Sequence, residues 1–284
     1  MFQALRSAIT VNQEAVQPEG EDFLLYEYGK YELDTGKHFQ LRFDWPIPPG
    51  SAIFQTNRRL YVCGGEAEIG KTKVRLDELF EGDYEGRCRD LDKMAQRRDS
   101  LSLSGTTTLL QAVGGWNEKT LSVCERYSVN KNKWNSFPSL KEARQWPGSC
   151  VANQEKGFCF GGFEDSGKLV NSIEILETRE RECEWRVVAF TFKVSPASHL
   201  SAVEYMGHIL VFGEAPQSRH KIYIFTEEGE MLEERSQGTI VSGQVSMGSS
   251  VVQRGKVYCI GERELKGKLE WRAFLYDGAI WSFL

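Results

Sequence analysis

An apolar run closed by glycine recurs along this chain at nearly fixed intervals. It reads RRLYVCGG at 58–65, LLQAVGG at 109–115, GFCFGG at 157–162, HILVFGE at 208–214 and KVYCIGE at 256–262. The aligned glycines Gly65, Gly115, Gly162, Gly213 and Gly261 stand 50, 47, 51 and 48 residues apart. A second marker keeps the same beat: Tyr31, Phe80, Tyr127, Leu176, Phe225 and Tyr276 are spaced 49, 47, 49, 49 and 51. Two independent markers in phase over this length imply one structural unit repeated about every 50 residues.

The unit reads as four short strands. In its clearest copy they are SLSLSG, TLLQAVGG, LSVCERYSV and KWNSF, within residues 100–137. Short β-rich runs bounded by Gly, Asn and Ser are strand signals. The second run is almost continuously apolar, as suits a strand buried on both faces, and the third alternates, as suits a half-exposed one. The glycine pair ends the buried strand where the backbone must turn or pack closely. Tyr127 and Trp134 bracket the next hairpin and can fill the space between neighbouring sheets. Four-stranded units of this period, stacked radially, make an all-β propeller. Six phase markers give six blades, at approximately 1–48, 49–98, 99–146, 147–196, 197–243 and 244–284, which use all 284 residues as a single domain. Blade one is degenerate: Gln17-Pro18 stands where the glycine pair belongs, and proline cannot donate to a ladder. The N-terminal residues are expected to supply its innermost strand or an extra strand at the ring seam.

The stretch AVGGWNEKTLSVCERYSVNKNKW (112–134) resembles a kelch repeat: an apolar run, Gly114-Gly115, then Tyr127 and Trp134 with six residues between. The resemblance covers roughly 51–284 and, in degenerate form, 1–50. Other units keep parts of the pattern. Gly64-Gly65 lack a following Trp; Gly161-Gly162 and Trp185 survive with Leu176 for Tyr; the last unit has Gly-Glu, Tyr276 and Trp281. The oligomerisation domain of kelch-like proteins is not expected here, because six blades fill the chain.

Composition narrows the function. Hydrophobic residues are 40% and charged residues 26%, so the chain is globular. A net charge of −5 argues against nucleic acid and anionic membranes as partners. No apolar run approaches the roughly 18 residues of a membrane span, and no signal-type leader is evident; a cytoplasmic protein is expected. Seven cysteines, odd in number and without a CxxC pair, read as reduced core thiols. His38, His199, His208 and His220 have no ligand spacing, so no metal and no cofactor is expected. No catalytic motif is present, and the chain reads as non-enzymatic.

In an antiparallel blade, the loops joining strands two and three share a face with the loops joining successive blades. In the propellers this chain resembles, that face carries the partner site. The inter-blade loops are read as basic and aromatic, with Arg97, Arg98, Arg144, Trp146 and Arg219 joined by Trp116 and Asn117 of a strand two-to-three loop. Arg and Trp are enriched at interface hot spots, and a basic centre selects an acidic segment. The leading expectation is therefore a non-catalytic protein-interaction module, an adaptor or scaffold. Reversing Arg98 and Arg144 to Glu is expected to abolish capture without lowering the melting temperature. The alternatives are a structural subunit of a cytoskeletal or other large assembly, and an enzyme such as a sugar-acid isomerase or oxidase on the same fold.

Overall fold

Each glycine-terminated apolar run forms the second strand of a four-stranded antiparallel sheet, because its continuous apolar surface can be covered only between two neighbouring sheets. The structure is a computed structural model. It describes residues 9–10, 23–26, 29–32, 38–40, 47–56, 59–83, 85–153, 156–179, 182–193, 200–215, 219–237, 245–253, 255–265, 268–276 and 281–283. Gln17-Pro18 lies outside them.

Blade one contributes β1 (Ile9–Thr10) and a three-stranded sheet of β2 (Phe23–Tyr26), β3 (Gly29–Glu32) and β4 (His38–Gln40). Blade two is β5 (Ala52–Gln55), β6 (Arg59–Cys63), β9 (Leu79–Asp83) and β10 (Cys88–Asp90). A small hairpin of β7 (Glu66–Ile69) and β8 (Thr72–Arg75) is inserted between its middle strands. Blade three is β11 (Ser102–Gly105), β12 (Leu109–Val113), β15 (Cys124–Ser128) and β16 (Lys133–Phe137). Its corresponding hairpin is β13 (Trp116–Asn117) and β14 (Lys119–Thr120). Blade four is β17 (Gly148–Ala152), β18 (Lys156–Phe160), β19 (Ser172–Arg179) and β20 (Glu182–Ala189). Blade five is β21 (Ser201–Tyr205), β22 (His208–Ala215), β23 (Arg219–Phe225) and β24 (Met231–Gln237). Blade six is β25 (Val245–Gln253), β26 (Lys256–Leu265), β27 (Lys268–Tyr276) and β28 (Trp281–Phe283).

The first strands of the blades touch in a closed cycle, β1 to β5, β11, β17, β21, β25 and back to β1. β1 runs parallel to the first strands of blades two, three and six, with Ile9 opposite Ile53 and Leu103 and Thr10 opposite Ser250. The N-terminal strand thus lies at the axis, against the first strands of blades two, three, five and six, and among the described residues is not hydrogen-bonded to the β2–β4 sheet.

The apolar clusters lie between blades. One joins blades two and three around Phe54, Tyr61, Tyr127 and Trp134. A second joins three and four around Cys159, Leu176 and Trp185, and a third joins four and five around Phe158, Phe160 and Tyr223. The repeat tryptophans also tie each blade to the segment entering it. The Trp134 indole donates to the Asp92 carbonyl at 2.9 Å, and the Trp185 indole to the Pro138 carbonyl at 2.8 Å. Tyr127 pairs with Trp134 across the hairpin, ring centroids 5.2 Å apart. Tyr276 and Trp281 are paired in the same way in blade six.

The phase marker of blade two is displaced by two residues. Tyr127 stands opposite Leu110, but in blade two the residue opposite the equivalent Leu60 is Gly82, and Phe80 stands opposite Val62. The β7–β8 hairpin changes the length of the connection, so the even spacing of Phe80 came from sequence and not from register. Around the axis, buried serines bond between blades: Ser149 Oγ lies 2.7 Å from Ser102 Oγ and donates to Ser104 Oγ at 2.9 Å, and Ser201 and Ser250 meet at 2.9 Å.

Candidate functional site, the loop face

The loop face is assembled at the double glycines. Gly114 and Gly115 have φ of 61° and 110°, in the left-handed region open to glycine. A Cβ on Gly114 would sit 2.5 Å from the Arg144 carbonyl. That carbonyl is part of a joint between blades. Gly115 N–H donates to Arg144 O at 2.9 Å, and Gly65 N–H to Arg98 O at 3.0 Å. The backbone of each arginine is thereby fixed to the blade behind it.

Its side chain enters the blade ahead. Arg98 donates to the carbonyls of Gly114 (3.1 Å) and Val123 (2.7 Å) and to Glu125 Oε1 (2.7 Å). Arg144 donates to Gly161 O (2.9 Å), Ser172 Oγ (2.9 Å) and Glu174 Oε1 (2.7 Å), and also reaches Glu142 at 3.1 Å. The carboxylates close the joint by accepting backbone N–H groups of the inter-blade loop: Ala95 and Gln96 at Glu125, Lys141 and Glu142 at Glu174. Both guanidiniums are 0% exposed.

This corrects the expectation that Arg98 and Arg144 meet a partner. Neither reaches the surface, and each is a pin between blades. Reversing them to Glu places a carboxylate against Glu125 or Glu174 in the interior, so loss of stability replaces the expected unchanged melting temperature. A second correction concerns Arg219. It opens β23, opposite Ala215, in the hairpin between strands two and three of blade five, and not in an inter-blade loop. Its side chain lies outside what the structure describes.

The remaining expected residues do lie on this face. Arg97 is exposed and donates to Asp77 Oδ2 at 3.1 Å. Trp116 and Asn117 are half-buried in β13. Trp116 is bonded through its backbone to Asp99, and the Arg75 guanidinium lies 4.3 Å above its ring. Arg75 also donates to Asp99 at 2.8 Å. Trp146 is half-buried, edge-on to Phe163 at 6.4 Å. Its φ is +48°, unusual for so large a residue. Ser100 (φ 54°) and Gly50 (φ 72°) hold the same place before the first strands of blades three and two. The three are stitched in sequence, Trp146 N–H to Ser100 O at 2.6 Å and Ser100 N–H to Gly50 O at 2.8 Å. Arg75, Asp99 and Phe163 were not singled out from the sequence. Of these only Phe163 carries a sequence signal, since it follows Gly161-Gly162 directly as Trp116 follows Gly114-Gly115.

No cluster of His, Cys, Asp and Glu suited to a metal occurs among the described residues. Cys63, Cys124, Cys150 and Cys159 are buried free thiols, and burial pushes Cys124 up to about 11. No described helix is long and apolar enough to cross a membrane.

A ring of four-stranded antiparallel blades, pinned at double glycines, defines a β-propeller built on kelch-type repeats. Residues 112–141 match the family model for the Kelch motif, which supports reading the propeller's repeat as kelch-type. A solved structure titled "Structure of YjhT" has the same fold, with a TM-score of 0.71 at 11% identity over 99% of this chain and 98% of that one. No curated protein matches the sequence.

Proposed function

We propose that this propeller is a non-catalytic protein-interaction module whose loop face holds a segment of a partner protein. The observation that carries the reading is Trp146. A half-exposed indole is held in a left-handed backbone conformation on the inter-blade stitch, at a place occupied by glycine in blade two. Such strain costs on the order of 1–3 kcal/mol and persists where the surroundings over-determine it, typically at sites that bind. A rigid aromatic already ordered in the free protein loses little entropy on contact. Trp116, Asn117 and Arg97 lie on the same face and extend the surface.

An acidic partner segment was expected from the arginines. With Arg98 and Arg144 internal, and Arg75 and Arg97 paired to Asp99 and Asp77, the described part of the face has little cationic excess to select one. We therefore place the specificity in aromatic and apolar contact. The test is affinity capture from native extract with the full chain and its Trp146→Gly variant. Glycine suits the left-handed backbone, so the variant is expected to stay folded and to lose the partners that the parent retains. Equal capture by both proteins refutes the loop-face reading.

A further inference from the structure

Beside the β7–β8 hairpin of blade two lies a cavity of about 540 Å3, in the range of ligand pockets, roughly 300–1,000 Å3. Its apolar lining includes Ile47, Pro49, Ala67, Leu76 and Phe80. Among the described residues the charged groups on it are unequal: Glu66, Glu68 and Glu78 against Lys73. Lys73 is spent on Glu66 at 2.6 Å, and Glu78 is paired with Lys93 at 2.9 Å. Glu68 is exposed and makes no ion pair or hydrogen bond among the described residues. The hairpin tip carries Ile69, 66% exposed, which shares a face of the four-residue strand β7 with the lining residue Ala67.

We infer that this cavity docks a short basic-apolar segment of a partner protein, with an aliphatic side chain seated among Leu76, Phe80 and Ile47 and a flanking Arg or Lys on Glu68. The inference rests on the interaction reading above and reverses the charge first expected of the partner. A carboxylate without an ion-pair partner among the described residues, on the lining of an apolar cavity, disfavours an acidic occupant and selects a cation beside the apolar group. The exposed Ile69 on the same face as Ala67 favours an extended segment over a compact small molecule.

The probe is a capped pentapeptide, glycine–arginine–leucine–arginine–glycine, titrated into the full chain labelled at Ile, Leu and Ala methyls. Two controls replace both arginines by glutamate, or the leucine by serine. Saturable shifts at Ile47, Ala67 and Leu76 are expected with the first peptide, weaker by about tenfold with either control. Glu68→Lys is expected to weaken binding about fivefold, the scale of one exposed ion pair. Ala67→Trp, which fills the cavity, is expected to abolish the shifts. No shift at these methyls up to about 10 mM, or equal binding of the glutamate or serine peptide, overturns the inference. These readouts do not involve Trp146. Loss of the pocket with retained dependence of capture on Trp146 rejects this inference alone, and the converse result rejects the Trp146 reading alone.

Discussion

Arg144 has no solvent exposure, so its charge is balanced entirely by Glu174, Ser172, Glu142 and the carbonyls around it. Removing it leaves Glu174 buried without its partner, and breaking such a pair costs about 3–5 kcal/mol. Arg144→Ala is expected to lower the unfolding free energy by that amount, read as a fall in the denaturation midpoint. Arg144→Met combined with Glu174→Leu should recover much of the loss, because two apolar groups leave no charge unpaired. A midpoint unchanged in the single variant would contradict the pin. Trp146 behaves differently. Its side chain is half-buried and its backbone strained, so Trp146→Gly is expected to change stability by less than about 1 kcal/mol, the relief of left-handed strain offsetting lost contact with Phe163. Chemical denaturation of the two variants side by side separates an internal residue from a surface one.

At the scale of the element, the double glycine is where strand, hairpin and next blade meet. Gly161 has φ of 52°, and a Cβ there would approach Leu200 Cδ1 to 2.6 Å. Gly161→Val adds a branched side chain to a backbone that β-branched residues avoid, and is expected to destabilise by more than about 2 kcal/mol. Urea titration reads this directly, and an unaltered midpoint would remove the double glycine as the organising element of the blade. The displaced marker at Phe80 belongs to this scale as well. Register follows the backbone ladder, and the longer β7–β8 connection lets β9 slide by two residues while sequence spacing stays regular.

Across the whole molecule, interblade burial sets a dependence on pH. Burial pushes the Tyr127 hydroxyl up to about 12 and does the same at Tyr223. An unfolded tyrosine titrates near 10. The folded state thus keeps protons that the unfolded state has released, and stability falls as pH rises between these values. The contribution is complete below about pH 10 and lost by about pH 12. Denaturation midpoints should be level from about pH 6 to 8, begin to fall near 8.5 as the unfolded thiols of the buried cysteines ionise, and fall further above 10, where Tyr127→Phe gives a shallower fall. An equal fall in that variant would assign the alkaline loss to other groups.

Much of this architecture was legible in one dimension. Periodic burial between sheets demands apolar runs at a fixed spacing, and a strand that stops against its neighbour demands glycine; both are local requirements that leave a mark in the residues themselves. Trp116, Asn117, Arg97 and Trp146 were placed on the loop face by that logic alone. The direction in which a long side chain points is not local. Arg97 and Arg98 are adjacent and chemically identical, yet one is exposed and the other is wholly enclosed, because only the second lies where two blades converge on Glu125. The serines around the axis and the parallel seat of Ile9–Thr10 likewise arise from segments brought together across 40 residues or more. The repeat is written in the sequence because each blade must satisfy the same local packing. Which charges reach the surface was decided only by the closing of the ring, which determines the groups that lose water.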